Sequence, residues 1–138
     1  MILVDTAPLI SLFDANQKYH RQCVATYKSF NQLMVMTWCC ITEAMYFLYK
    51  LRGWQGQNTL WEFVSSKALI LHQTTAAEQL RIQQLMKQYR DMPMDLADAS
   101  LVEMAESLNQ TTIFTLDSDF FIYRLSDGRA FNVAPKIS

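Results

Sequence analysis

Apolar and polar positions fall into short apolar runs separated by longer stretches of helical period. Residues 1–4 form an apolar run closed by Asp5, the pattern of a strand buried on both faces. Thr6 follows, two residues before Pro8. Proline suits a first helical turn, where its missing N–H would have no partner anyway. A helix is therefore predicted from Thr6, with Leu9, Ile10, Leu12 and Phe13 on its apolar face. Cys23, Val24, Tyr27 and Phe30 recur at helical spacing and predict a second helix over 20–30. Residues 33–37 (LMVMT) read as the next strand and 41–51 as a helix stopped by Gly53, with another helix around 60–64. Residues 68–71 predict a third strand. Residues 75–89 predict a long helix with Leu80, Ile82, Leu85 and Met86 inward. Pro93 breaks the chain before a helix over 94–108, whose apolar side is Leu96, Ala99, Leu101, Val102 and Ala105. Residues 112–116 (TIFTL) predict a fourth strand and 130–133 a short last one.

Strands alternating with helices imply a mainly parallel sheet of four to five strands with helices on both faces. The expectation is a three-layer α/β/α fold. A length of 138 residues suits one domain, residues 1–138. Composition narrows the picture further. The chain is 51% hydrophobic and 18% charged, too apolar for disorder. Three prolines and three glycines argue against a turn-rich all-β fold or a flexible linker. With a net charge of -1, any binding of a polyanion must come from a local patch. Cys23, Cys39 and Cys40 are odd in number and lack C-x-x-C spacing, so packing in a reducing compartment is expected, not a disulfide framework or zinc site. The amino terminus has no signal-peptide pattern, and no apolar run approaches the ~20 residues that span a bilayer. A cytoplasmic protein without membrane association is expected.

In such a sheet the usable crevice lies beyond the carboxyl ends of the strands, and four predicted positions put acids there. Asp5 follows the first strand, Glu43 opens the helix after the second, Asp95 and Asp98 lie in the first turns after Pro93, and Asp117 and Asp119 follow the fourth strand. Each alone has a plain explanation. Asp5 or Asp95 caps a helix, Asp98 complements a helix dipole, and Asp117 or Asp119 serves a turn. Glu43 is harder to explain, because its helix is apolar nearly all round and should be largely buried. A carboxylate there needs a salt bridge, hydrogen bonds or a metal ion. Gathered together, the acids would repel one another, and a hard divalent cation would relieve that repulsion. His20 and His72 sit away from these positions, which disfavours zinc.

Val4–Ile10 (VDTAPLI), Thr42-Glu43-Ala44, Asp95-Leu96-Ala97-Asp98-Ala99 and Thr115–Phe120 (TLDSDF) resemble, in this order, the four motifs of the PIN-domain ribonuclease family, and within it the VapC-like toxins of bacterial toxin–antitoxin pairs. The resemblance spans Asp5 to Phe120 and implies a Mg²⁺-dependent endoribonuclease, with Mn²⁺ as a substitute ion. It implies Asp5, Glu43, Asp98 and Asp117 as metal-binding acids, Asp95 and Asp119 as secondary ones, and Thr6 and Thr115 as hydroxyl supports. An antitoxin that covers the site is implied as well. Lys50, Arg52, Arg124 and Arg129 are candidate contacts to RNA phosphates, although the motifs have fewer basic neighbours than RNA-cutting relatives often carry. Tyr46, Tyr49 and Trp54 are open to base stacking or to packing. The aromatic stretch 45–63 offers more apolar surface than one core needs, which suggests a homodimer interface or a groove for an inhibitory partner helix. Two rival readings use the same residues: an inactive PIN-like scaffold, which has no reason to keep these acids, and a phospho-acceptor α/β domain, which lacks its lysine after a late strand.

Overall fold

The computed structural model describes residues 1–136, so the last two residues of the expected domain lie outside it. In chain order the elements are β1 (Ile2–Val4), α1 (Thr6–Phe13), α2 (His20–Ser29), β2 (Met34–Thr37), α3 (Trp38–Ser65), β3 (Leu69–His72), α4 (Ala76–Gln88), α5 (Leu96–Leu108), β4 (Thr112–Phe114), a 3₁₀ turn (Ser118–Phe121) and β5 (Asn132–Ala134).

The strands form one parallel sheet in the order β3-β2-β1-β4-β5. Their sequences (ILV, MVMT, LILH, TIF) carry the near-continuous apolar character of strands covered on both faces. From β1 the chain steps outward through β2 to β3, then crosses back to place β4 on the other side of β1. α1 packs against α2 and α3, and α4 packs against α5, the two groupings that right-handed crossovers in this strand order place on opposite faces. The direction of winding reverses between β1 and β4, and a crevice opens above the carboxyl ends of those two strands. Register puts Val4 beside Phe114, so the residues that follow, Asp5 and Thr115, emerge side by side at that point.

Local chemistry fixes the helix starts. Asp5, Thr37, Thr75 and Asp95 each accept a backbone N–H from the first turn of α1, α3, α4 and α5. Asn109 closes α5 in the left-handed conformation. Gly53, at φ 60° and ψ -146°, breaks α3 into two helical arms. The second arm packs back so closely that a Cβ on Gly56 would lie 2.7 Å from the Leu48 carbonyl oxygen.

Three expectations need correction. The helix bearing Glu43 is not largely buried. Its inward stripe is Cys40, Ile41, Ala44 and Leu48, while Trp38, Tyr46, Phe47, Tyr49 and Leu51 face outward. Leu80 is 63% exposed because the buried stripe of α4 is Ile82 and Leu85, and Leu80 lies two residues, about 200° of helix rotation, from Ile82. Leu96 is exposed because it is the first residue of α5, ahead of the turns that reach the core.

Candidate active site

Side chains from four separate stretches meet in a cleft of about 600 Å³ above the β1/β4 boundary. Asp5, Thr6, Glu43, Asp95, Asp98 and Asp117 all line it. The local sequence explains each position. Asp5 ends β1 and caps α1, its Oδ1 accepting the Thr6 N–H at 2.7 Å. Its Oδ2 accepts the Thr115 hydroxyl at 2.7 Å, and the Thr115 oxygen in turn accepts the Asp117 N–H at 3.0 Å. Thr115 thus ties the end of β1 to the loop after β4. The Thr6 hydroxyl lies 2.9 Å from Glu43 Oε1, to which it donates, and 3.2 Å from the Cys40 carbonyl, so α1 holds the start of α3. Asp95 caps α5 through the Asp98 N–H at 2.8 Å, and Asp117 caps the 3₁₀ turn through the Asp119 N–H at 2.9 Å. The capping roles and the shared cleft coexist, because a cap fixes where its carboxylate points.

Asp98, Asp117 and Asp119 come closest together, each offering a carboxylate oxygen within 4.8 Å of the other two. Asp5 and Glu43 do not join that triad at this distance but face the same cleft. Burial pushes the Asp5 carboxyl up to about 6, against the lowering effect of its bonds from Thr115 and Thr6, and the nearby Asp117 and Glu43 push it further. Burial and then the neighbouring Asp95 raise Asp98 to about 7. Asp119 is raised by desolvation and by Asp117 and Asp95. Among the described residues no Lys or Arg forms an ion pair with Asp5, Asp98, Asp117 or Asp119. A crowded all-oxygen donor set without a protein counter-charge suits a hard divalent cation.

Of the four cations singled out from the sequence, Lys50 lines the cleft, with its Nζ 4.7 Å from the centre of the Tyr46 ring. Arg52 reaches toward Asp14 at 3.9 Å. Arg124 donates to the carbonyls of Phe121, Ile122 and Tyr123 and braces the 3₁₀ turn. Arg129 binds Asp127 and Asn109. The structure does not bring these three to the cleft lining. Tyr46, Tyr49 and Trp54 are exposed.

Two contributors escaped the sequence reading. Lys18 lines the cleft from the α1–α2 loop, where no motif marks it. Tyr123 is fully buried and donates from Oη to Asp98 Oδ2 at 3.0 Å. A tyrosine within the apolar FFIY run was the available signal, since a buried phenol needs an acceptor.

Fold and cleft are those of a PIN-like α/β fold with its acids at the topological switch point. No family model matches the chain. Ribonuclease VapC26 of Mycobacterium tuberculosis is 26% identical over 135 residues, covering 97% of this chain and all of that protein. Among solved structures, M. tuberculosis VapC20, described as a sarcin–ricin loop cleaving toxin, superposes with a TM-score of 0.80 at 15% identity, covering 86% of this chain and 92% of that one. A toxin–antitoxin complex from Klebsiella pneumoniae gives 0.68 at 18%, covering 87% and 90%. DNA-bound VapBC from Salmonella typhimurium gives 0.65 at 15%, covering 96% and 98%. The chain is thus similar in sequence to a VapC ribonuclease and in fold to VapC toxins.

Proposed function

We propose that this chain is a metal-dependent endoribonuclease that hydrolyses RNA phosphodiester bonds as the toxin of a toxin–antitoxin pair, one PIN domain spanning residues 1–138. The observation that carries the reading is the convergence of Asp5, Glu43, Asp98 and Asp117 on one cleft. Full-length similarity to a ribonuclease supports it. The proposed ligand carboxylates are Asp98, Asp117 and Asp119, with Asp5 and Glu43 completing the set and Asp95 beside them. Mg²⁺ is the proposed ion and Mn²⁺ its substitute. When bound, it supplies Lewis-acid activation of water and of the scissile phosphate.

The chain's own residues do the rest. Thr115 and Tyr123 hold single oxygens of Asp5 and Asp98 and so leave the carboxylates fixed in direction. Thr6 does the same for Glu43. Ionised carboxylates accept the proton that water loses on attack. Lys18 and Lys50 bind phosphates of the strand that lies along the cleft, which would otherwise be repelled by the acids. Arg52, Arg124 and Arg129 are proposed as peripheral contacts at most, given the partners they already hold. The partners proposed are an antitoxin that occupies the cleft and a second copy of this chain, in the cytoplasm. Among the described residues no helix is long and apolar enough to cross a membrane.

Asp5→Asn and Asp98→Asn test the reading. Each is expected to lower Mg²⁺-dependent cleavage of RNA beyond the roughly 10–100-fold typical of an outer-shell partner, with an unchanged circular-dichroism spectrum. Full activity in either folded variant would remove the proposed chemistry.

A further inference from the structure

A second cavity, of about 190 Å³, opens beside the acidic cleft and shares Tyr19, Leu116 and Asp117 with it. Its apolar walls are completed by Phe121, Val133 and Pro135, and Ser118 adds a hydroxyl. Phe120 and Phe121 are adjacent but behave differently. Phe120 is fully buried and packs edge-on against Tyr123 and Phe131. Phe121 is 57% exposed and, among the described residues, stacks on no other ring. Its backbone is nonetheless held firmly: its carbonyl accepts from Arg124 at 2.9 Å, and the turn closes with Ile122 N–H to Asp119 at 2.9 Å. An exposed aromatic ring on a braced turn, at the lip of a cavity that adjoins the acidic cleft, is placed to meet a planar partner.

Resting on the ribonuclease reading above, we propose that this cavity is a subsite for one unpaired nucleobase of the RNA strand, flanked by Tyr19 and Phe121, next to the phosphate lying over the acids. Size favours a single ring system, since pockets for whole small ligands begin near ~300 Å³. Continuity through Tyr19, Leu116 and Asp117 favours an occupant that belongs to the same strand. Stacking on aromatic faces accepts any base. The Ser118 hydroxyl, at the cavity wall, is the group available to read a base edge.

The test separates this subsite from the chemistry. Binding is read by fluorescence anisotropy of a labelled, random-sequence single-stranded RNA octamer on Asp98→Asn protein, which leaves the strand uncut. A ribose-phosphate octamer without bases is the control. Adding Phe121→Ala or Tyr19→Ala is expected to weaken RNA binding about tenfold, within the range of one lost base–aromatic stack. Phe121→Trp should restore it, and none of the three should change binding of the baseless strand. Equal RNA affinity with and without Phe121 overturns the subsite and hands the cavity to a side chain of an inhibitory partner. Equal loss on the baseless strand also overturns it, as does the absence of any RNA binding. If the predicted losses occur while the wild type cuts no RNA, the nucleobase site stands and the ribonuclease reading falls.

Discussion

The phenol of Tyr123 and the carboxyl of Asp98 meet where α5 and the segment after the 3₁₀ turn pack together, with Tyr123 entirely removed from solvent. That hydrogen bond favours the ionised form of Asp98, while burial and Asp95 favour the protonated form and dominate, giving about 7. Tyr123→Phe keeps the ring and deletes only the bond. Activity should fall about tenfold, toward the lower end of outer-shell effects. The acid limb of the pH–rate profile should also move to higher pH, because Asp98 then ionises later. An unshifted acid limb would show that the bond plays no part in tuning Asp98. Asp5 and Asp98 also set a pH dependence of stability. Their folded values, about 6 and about 7, exceed the ordinary 3.8, so between pH 4 and 7 the folded chain holds protons that the unfolded chain has released. Stability from these groups therefore declines as pH rises through that window and is level on either side. Glu103, raised to about 7 by burial and by Glu78, contributes in the same direction, while Glu78, lowered against desolvation by its hydrogen bonds from Glu103 and His72, offsets part of it. Denaturant melts of metal-free protein should show that decline, and it should be shallower in Asp98→Asn. An equal slope in the wild type and in Asp98→Asn would contradict it.

At the scale of elements, the periodicity of apolar residues placed the strands and helices, helped by capping residues at the starts of α1, α3, α4 and α5; α2 begins after Tyr19 without a side-chain cap, and α3 runs from Trp38 to Ser65 where two shorter helices were expected. Thr75 and Asp95 mark the starts of α4 and α5, and Gly53 interrupts α3 where its backbone leaves the helical region. What periodicity alone does not reveal is which face of an all-apolar helix meets the core. The first arm of α3 is apolar nearly all round, yet only the 40, 41, 44, 48 stripe is buried, and Tyr46, Phe47 and Tyr49 are 57%, 46% and 61% exposed. Asp5, Asp95, Asp98 and Asp117 were legible because they sit at strand ends and helix starts; Glu43, expected to open its helix, lies instead in the second turn of α3, which begins at Trp38. Lys18 and Tyr123 were not, since one lies in an unpatterned loop and the other reaches Asp98 across 25 residues. The outward aromatics of α3 bear on assembly. Sedimentation at high concentration should show a dimer, and Tyr49→Ser with Trp54→Ser should return it to a monomer. A strict monomer in the wild type would assign that face no role in self-association.

Across the whole molecule, one topological feature organises the site. The reversal of strand order between β1 and β4 leaves a crevice that Asp5 enters from β1, Glu43 from α3, Asp98 from α5 and Asp117 from the loop after β4. The packing that stabilises the sheet also forces these carboxylates together, and no arginine or lysine among the described residues pairs with the central ones. Repulsion of that kind is relieved by protonation at low pH or by a cation at neutral pH. The most direct measurement is thermal unfolding of the full chain at pH 7.5 during titration with Mn²⁺. The melting temperature should rise saturably, corresponding to about 2.7 kcal/mol at a hundredfold excess over the dissociation constant, and Asp98→Asn should abolish the rise. A wild type whose melting temperature ignores Mn²⁺, or an Asp98→Asn variant that responds as fully as the wild type, would contradict a shared ion at these carboxylates.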